Sequence, residues 1–226
     1  MNLKPHDFLV ALKLLALGDR HWTYARLANE LGLSTSEAHA AVQRGLAAGL
    51  LVDSGIARAY AAPRARAAVV VREAALAVGS GTYAAMANRK PANERTSLDS
   101  AAVVNRHNLA EFTLHGARYA FPAQRLPVGP GVPTSHSAPA FAGVFAPDQE
   151  PLVWPDAHGT LRGEGLRPLH PCVPGAALRD AALYELLALF DALRDGRARE
   201  RGMAVTRLQK LIDPAARPLA SKSRRG

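Results

Sequence analysis

Eight histidines and a single cysteine, Cys172, are the residues of this 226-residue chain best suited to hold a metal or attack a substrate. His170-Pro-Cys172 is the closest pair of possible ligands. A structural zinc site needs about four ligands, and no C-x-x-C, H-x-x-x-H or second cysteine joins this pair. Cys172 as a nucleophile would need a basic partner in an electropositive pocket, and the sequence offers a quiet thiol instead. Ser135 and His136 are adjacent, but no G-x-S-x-G elbow accompanies them. The glycines at Gly79 and Gly81, Gly129 and Gly131, and Gly163 and Gly165 complete no phosphate loop. Asp148, Glu150 and Asp156 lack the helical spacing that would bring their carboxylates together. No catalytic residue, metal or cofactor is therefore expected.

The chemistry that the spacing does support is directional hydrogen bonding from one helical face. Thr23 to Val52 reads TYARLANELGLSTSEAHAAVQRGLAAGLLV. Thr23 can cap a helix from Tyr24 to Leu31, and Gly32 supplies the left-handed turn that ends it. Ser34 stands three residues before Glu37, the capping-box spacing, so a second helix starts at Thr35. Helical periodicity sends Ala38, Ala41, Val42, Gly45 and Leu46 to one side, and Ser36, His39, Ala40, Gln43 and Arg44 to the other. One face packs and the other is offered to a partner. The small Ala28 and Gly32 let the two helices cross closely, which is helix-turn-helix geometry.

With Ala28, Gly32 and Leu33 at the turn and LAAGLLV from Leu46 to Val52 as the exit into a wing, this stretch resembles the DNA-binding core of bacterial winged-helix transcription regulators, broadly of the MarR type. The resemblance covers residues ~5–60, roughly a quarter of the chain. It implies double-stranded DNA as the partner, with helix 35–48 in the major groove. Ser34, Thr35 and Ser36 would then reach phosphates or base edges, and His39, Gln43 and Arg44 would add directional contacts. Gln43 suits adenine, which its amide can bond bidentately. Tyr24 and Arg26 at the start of the preceding helix would hold backbone phosphates. Arg58 and Arg64, with Arg66, would meet sugar and phosphate from the wing. Two half-sites imply a homodimer. The competing reading is an adaptor or antitoxin-like module that clasps a protein partner, with DNA binding secondary or absent. A third, an enzyme with its site in residues 105–175, rests only on the density of polar residues there.

The formal charge of +9 favours an anionic partner, although an arginine-rich composition alone also raises it. With 48% apolar residues the chain can bury a sizeable core. One cysteine excludes an intramolecular disulfide and makes the reducing cytoplasm the simplest compartment. Phe8 to Leu17 is apolar, but Lys13 interrupts it and Asp19 and Arg20 follow, so it reads as a core helix rather than a leader or a membrane span.

The remaining elements must position that face. Lys4 to Leu17 is expected as the first helix, stopped by Gly18, with a stripe of Phe8, Ala11, Leu12 and Leu15 that neighbouring helices and a second subunit would cover. Leu50 to Val52 should be a strand, Asp53 to Gly55 a turn and Ile56 to Tyr60 its return. Pro63 to Val78 reads as a helix, or a strand through Ala68 to Val71, and residues 79–100 as a linker. Asn105 can cap a helix through His115, stopped by Gly116, with a short strand at Ala117 to Phe121. The prolines between Pro122 and Pro174 predict loop with brief extended pieces such as Leu152 to Trp154. Ala177 to Asp195 and Ala198 to Ile212 read as helices. The fold class expected is mainly α with a small β-wing: a winged helix-turn-helix over residues 1–62, an uncertain helix and linker over 63–104, a helical and loop-rich dimerisation or partner domain over 105–212, and a disordered basic tail over 213–226.

Overall fold

The computed structural model describes residues 3–55, 102–144 and 150–215. It is mainly helical with little sheet. Helix α1 (Pro5–Leu17) begins with proline in its first turn, where the missing N–H costs nothing, and Asp7 reaches back to accept the Lys4 N–H at 2.9 Å. Helices α2 (Tyr24–Leu31) and α3 (Thr35–Ala47) follow at the boundaries that the capping residues predict. Strand β1 (Leu51–Asp53) pairs antiparallel with β2 (Ala102–Val104), Val52 opposite Val103. The expected return strand at Ile56 to Tyr60, the helix Pro63 to Val78, the linker 79–100 and the tail beyond residue 215 lie outside the described residues. Among the described residues, β1 takes its partner from beyond residues 56–101.

A second helical stretch starts where Asn105 caps it, its side chain accepting the Asn108 N–H at 3.2 Å. It does not stop at Gly116. Helix α4 (Arg106–Glu111) runs through a π-helical turn (Phe112–Gly116) into α5 (Ala117–Ala120), replacing the strand expected there. Gly116 stays helical, and a Cβ on it would stand 3.1 Å from the Phe112 ring, so the glycine makes room for that ring instead of ending the helix.

The proline-rich segment is the larger correction. The extended piece expected at Leu152 to Trp154 is strand β4 (Leu152–Pro155), and instead of loop around it the segment also holds β3 (Arg125–Pro133) and β5 (Leu161–Leu166). β3 pairs antiparallel with both others, and β4 and β5 pair parallel, so three short strands close on one another. Such closure needs backbones to approach closely. Gly131, Gly163 and Gly165 permit it: a Cβ at Gly163 would fall on the Pro151 carbonyl and one at Gly131 on that of Trp154.

The expected helix from Ala177 to Asp195 is broken into α6 (Val173–Arg179) and α7 (Ala181–Asp195). Asp180 turns the chain between them. Its backbone is extended and its carboxylate accepts the N–H groups of Ala182 and Leu183 at 3.0 and 3.2 Å, so it starts a new helix rather than continuing the old one. Helix α8 (Ala198–Ile212) closes the described chain, and Arg106 caps its end by donating to the Ile212 carbonyl at 2.9 Å.

One hydrophobic core joins both ends of the sequence. Phe8 of α1 lies with ring centroids 5.5, 5.9 and 5.0 Å from Phe112, Phe121 and Phe190. α1 is buried by α3, α7 and β2 of its own chain, so its apolar stripe leaves nothing for a second subunit to cover. No described helix is long and apolar enough to cross a membrane.

A second, polar junction ties α7 to the strands. Asp191, 2% exposed, accepts hydrogen bonds from Thr134 Oγ1 at 2.7 Å, Trp154 Nε1 at 2.6 Å and Arg194 Nε at 2.8 Å. Burial pushes its carboxyl up from the ordinary range, opposed by the Arg194 charge and these three donors. Tyr184 adds a hydroxyl bond to the Pro133 carbonyl at 2.6 Å.

Candidate nucleic-acid interface

The helix-turn-helix is built from local signals. Thr23 Oγ1 accepts the Arg26 N–H at 3.1 Å, and Gly32 adopts the left-handed conformation (φ 73°) that ends α2. The Leu33 N–H then returns to the Ala28 carbonyl at 2.9 Å. Ser34 and Glu37 form the reciprocal box: the Glu37 N–H donates to Ser34 Oγ at 3.1 Å and the Ser34 N–H to Glu37 Oε2 at 2.9 Å. Hydrogen bonds from the Ser34 side chain and backbone hold the Glu37 carboxyl below its usual range.

Ala38, Ala41, Val42 and Gly45 are buried, and Ser34, Thr35, Ser36, His39 and Gln43 are exposed. The expected polar face is thus continuous along α3, with two changes of role at its flanks. Arg44 does not point to a partner. Its Nε and Nη2 donate to the two carboxylate oxygens of Asp7, both at 2.7 Å, and Asp7 is wholly buried. A buried carboxylate without a cation is costly, so it draws Arg44 inward and clamps α3 to α1. His6 Nε2 lies 2.8 Å from Arg44 Nη2, and burial lowers the His6 pKa.

Tyr24 is the second change: expected to hold phosphate, it is only 6% exposed. Its hydroxyl shares a hydrogen bond with the Gln43 amide, and its ring lies 5.0 Å from the His39 ring. Burial raises the Tyr24 pKa, with the Gln43 bond opposing. Tyr24 therefore orients two exposed side chains of α3. Arg26 is exposed but bonds Glu30 at 2.6 Å and the His21 carbonyl at 3.0 Å. Arg58 and Arg64, with Arg66, lie outside the described residues.

The start of α6 packs on the turn, where a Cβ at Gly32 would stand 3.7 Å from that of Cys172. The Cys172 thiol is 3.0 Å from His170 Nδ1, and burial pushes its pKa up to about 11, which keeps it a neutral thiol. Among the described residues no three histidine, cysteine or carboxylate side chains gather to hold a metal ion. Sequence reasoning missed Asp7, the residue that sets where Arg44 goes. Its separation of 37 residues from Arg44 leaves no local signal.

α2 is also fastened from behind. Lys13, 2% exposed, places its ammonium 2.6 Å from Glu30 and 2.7 Å from Asp180, joining α1, α2 and the start of α7. Burial alone would raise both carboxyl pKa values, but hydrogen bonds and charge from Lys13, and from Arg26 at Glu30, lower them on balance. Both groups thus bind protons more weakly folded than unfolded. Their contribution is present above their unfolded pKa of about 4 and is lost as pH falls through the lower folded values. Urea midpoints should therefore drop on acidification below about pH 5, and Lys13→Met should flatten that dependence. An unchanged slope in the variant would show that other carboxylates dominate.

No family model, curated protein or solved structure matches this chain.

Proposed function

We propose that the protein is a cytoplasmic, sequence-specific DNA-binding transcription regulator that sets α3 in the major groove. The observation that carries the reading is the single exposed face of Thr35, Ser36, His39 and Gln43 on a helix whose opposite face is locked into the core. A rigid helix presenting short polar groups, with one amide already oriented by Tyr24, meets the demand of base reading for fixed donors and acceptors. The positive end of α2 would add phosphate contacts. Binding as a homodimer would place two such helices about 34 Å apart, one per half-site.

The test is fluorescence anisotropy against the DNA upstream of its own gene and against a scrambled duplex, across a salt series. The Ser36→Ala/His39→Ala/Gln43→Ala variant is run alongside. We expect preference for the upstream duplex, reduced by about 10²-fold or more in the variant, because each good bidentate contact is worth about 1–3 kcal/mol. Equal, weak binding to both duplexes, unchanged in the variant, would reject base reading.

One observation favours a second reading. The only arginine or lysine on α3, Arg44, is bonded to Asp7, so the exposed face carries no uncommitted lysine or arginine. Such a face also suits docking to a protein, as an adaptor or antitoxin-like module would require. Co-purification of a stoichiometric partner, with DNA binding that responds only weakly to salt, would favour this alternative.

A further inference from the structure

Residues of α1 and the turn after it, the side of α2 that carries Arg26 and Glu30, and the α6–α7 junction line an open cleft of about 440 Å³. Its charged lining is Lys13, Arg20, Arg26, Glu30, Arg179 and Asp180. Four of these charges are mutually satisfied. Glu30 takes Lys13 and Arg26, each at 2.6 Å, and Asp180 takes Lys13 at 2.7 Å. Two are not. Among the described residues Arg20 donates only to the carbonyls of Leu17 and Ala16, at 3.0 and 3.1 Å, and Arg179 only to that of Glu30 at 3.1 Å.

A carbonyl orients a guanidinium without cancelling its charge. Arg20 and Arg179 are thus held in place while each keeps an Nη1 amino group for another acceptor. Their positions also come from distant parts of the sequence, which only folding joins. Two fixed, uncompensated guanidinium charges at one cleft match a compact dianion, since planar paired donors favour phosphate and carboxylate oxygens. The room available accommodates a small molecule that carries such a group. We propose that this cleft binds a small phosphate monoester or an equivalent dianion, with Arg20 and Arg179 as its principal ligands. The site is independent of whether α3 reads DNA.

Isothermal titration of the full chain with inorganic phosphate, against chloride at matched ionic strength, tests this directly. Saturable binding is expected, weakened by at least about tenfold in Arg20→Gln/Arg179→Gln. Because both arginines also bond the backbone, Ala182→Glu is the second variant. Ala182 is exposed in the first turn of α7, where a carboxylate stabilises a helix, so it should abolish phosphate binding without lowering the melting temperature. A short duplex is titrated in parallel to separate a free monoester from the DNA backbone. No saturable phosphate binding, or binding that both variants leave unchanged, overturns the proposal. So does duplex binding that both variants abolish while phosphate alone fails to bind.

Discussion

Asp191→Ala should destabilise the protein by about 3–5 kcal/mol, the range for removing one partner of a buried ion pair. In a chain of this size that corresponds to a fall of roughly 10 °C in melting temperature. The size follows from what the substitution leaves behind. Arg194 has a side chain only 3% exposed and would keep its charge with a single bond, from Nη2 to the Arg167 carbonyl at 2.6 Å. The Thr134 hydroxyl and the Trp154 indole N–H would lose their shared acceptor inside the protein. Asp191→Asn, similar in shape, should cost less but still leave the cation unpaired. Replacing the pair together, as Asp191→Leu/Arg194→Met, should recover only part of the loss, because Thr134 and Trp154 remain without an acceptor. Urea denaturation of the four proteins would check this order. A cost below about 1 kcal/mol for Asp191→Ala would mean that water reaches the site and that the network contributes little.

Phe8→Ala should cost about 3–5 kcal/mol as well, for a different reason: it empties a packed volume rather than stranding a charge. Phe8 is fully buried, and its ring meets Phe112 and Phe121 of the helical stretch that starts at Arg106 and Phe190 of α7, two separate parts of the chain beyond residue 101. The loss should therefore appear in both halves of the chain at once. Trp22 and Trp154 are the only tryptophans, one on each side of the undescribed segment, and both are buried. In a Trp22→Phe background, Trp154 alone reports on the strands. Its emission should change at the same urea concentration as the helical circular dichroism, with and without Phe8→Ala. If Trp154 kept its original midpoint while the helical signal shifted, the first three helices would be an independent folding unit, and the shared core would be too weak to couple them.

The Phe8 experiment probes the core on which α3 rests, through α1. The polar face of α3 is useful to a partner only if the helix cannot roll, and two attachments oppose rolling: the Arg44–Asp7 pair and the buried alanine and valine side. The Lys13 bridge holds α2 to α7 in the same way, so the motif is braced by the second half of the chain.

The sequence by itself determined what depends on near neighbours. Capping at Thr23 and Ser34, the left-handed Gly32 and the helical spacing of Ala38, Ala41 and Val42 are local effects, settled within a few residues, and α1, α2, α3 and α8 are found where such signals predict. Which polar residues stay exposed on α3 was legible for the same reason. Tertiary structure decided the rest. The same 3.6-residue period that exposes Gln43 also places Arg44 outward, and only the buried carboxylate of Asp7 from another helix draws it in. Tyr24 was turned from a contact into a support by burial against α3. Of the strands between Arg125 and Leu166 only the extended piece at Leu152 to Trp154 was legible; β3 and β5 were hidden because prolines and glycines weaken a strand locally, yet those glycines are what allow three backbones to close on one another. The break at Asp180 was equally hidden, since an apolar period runs through it. A cap and a lysine from α1, 167 residues away, made the turn worth more than one continuous helix.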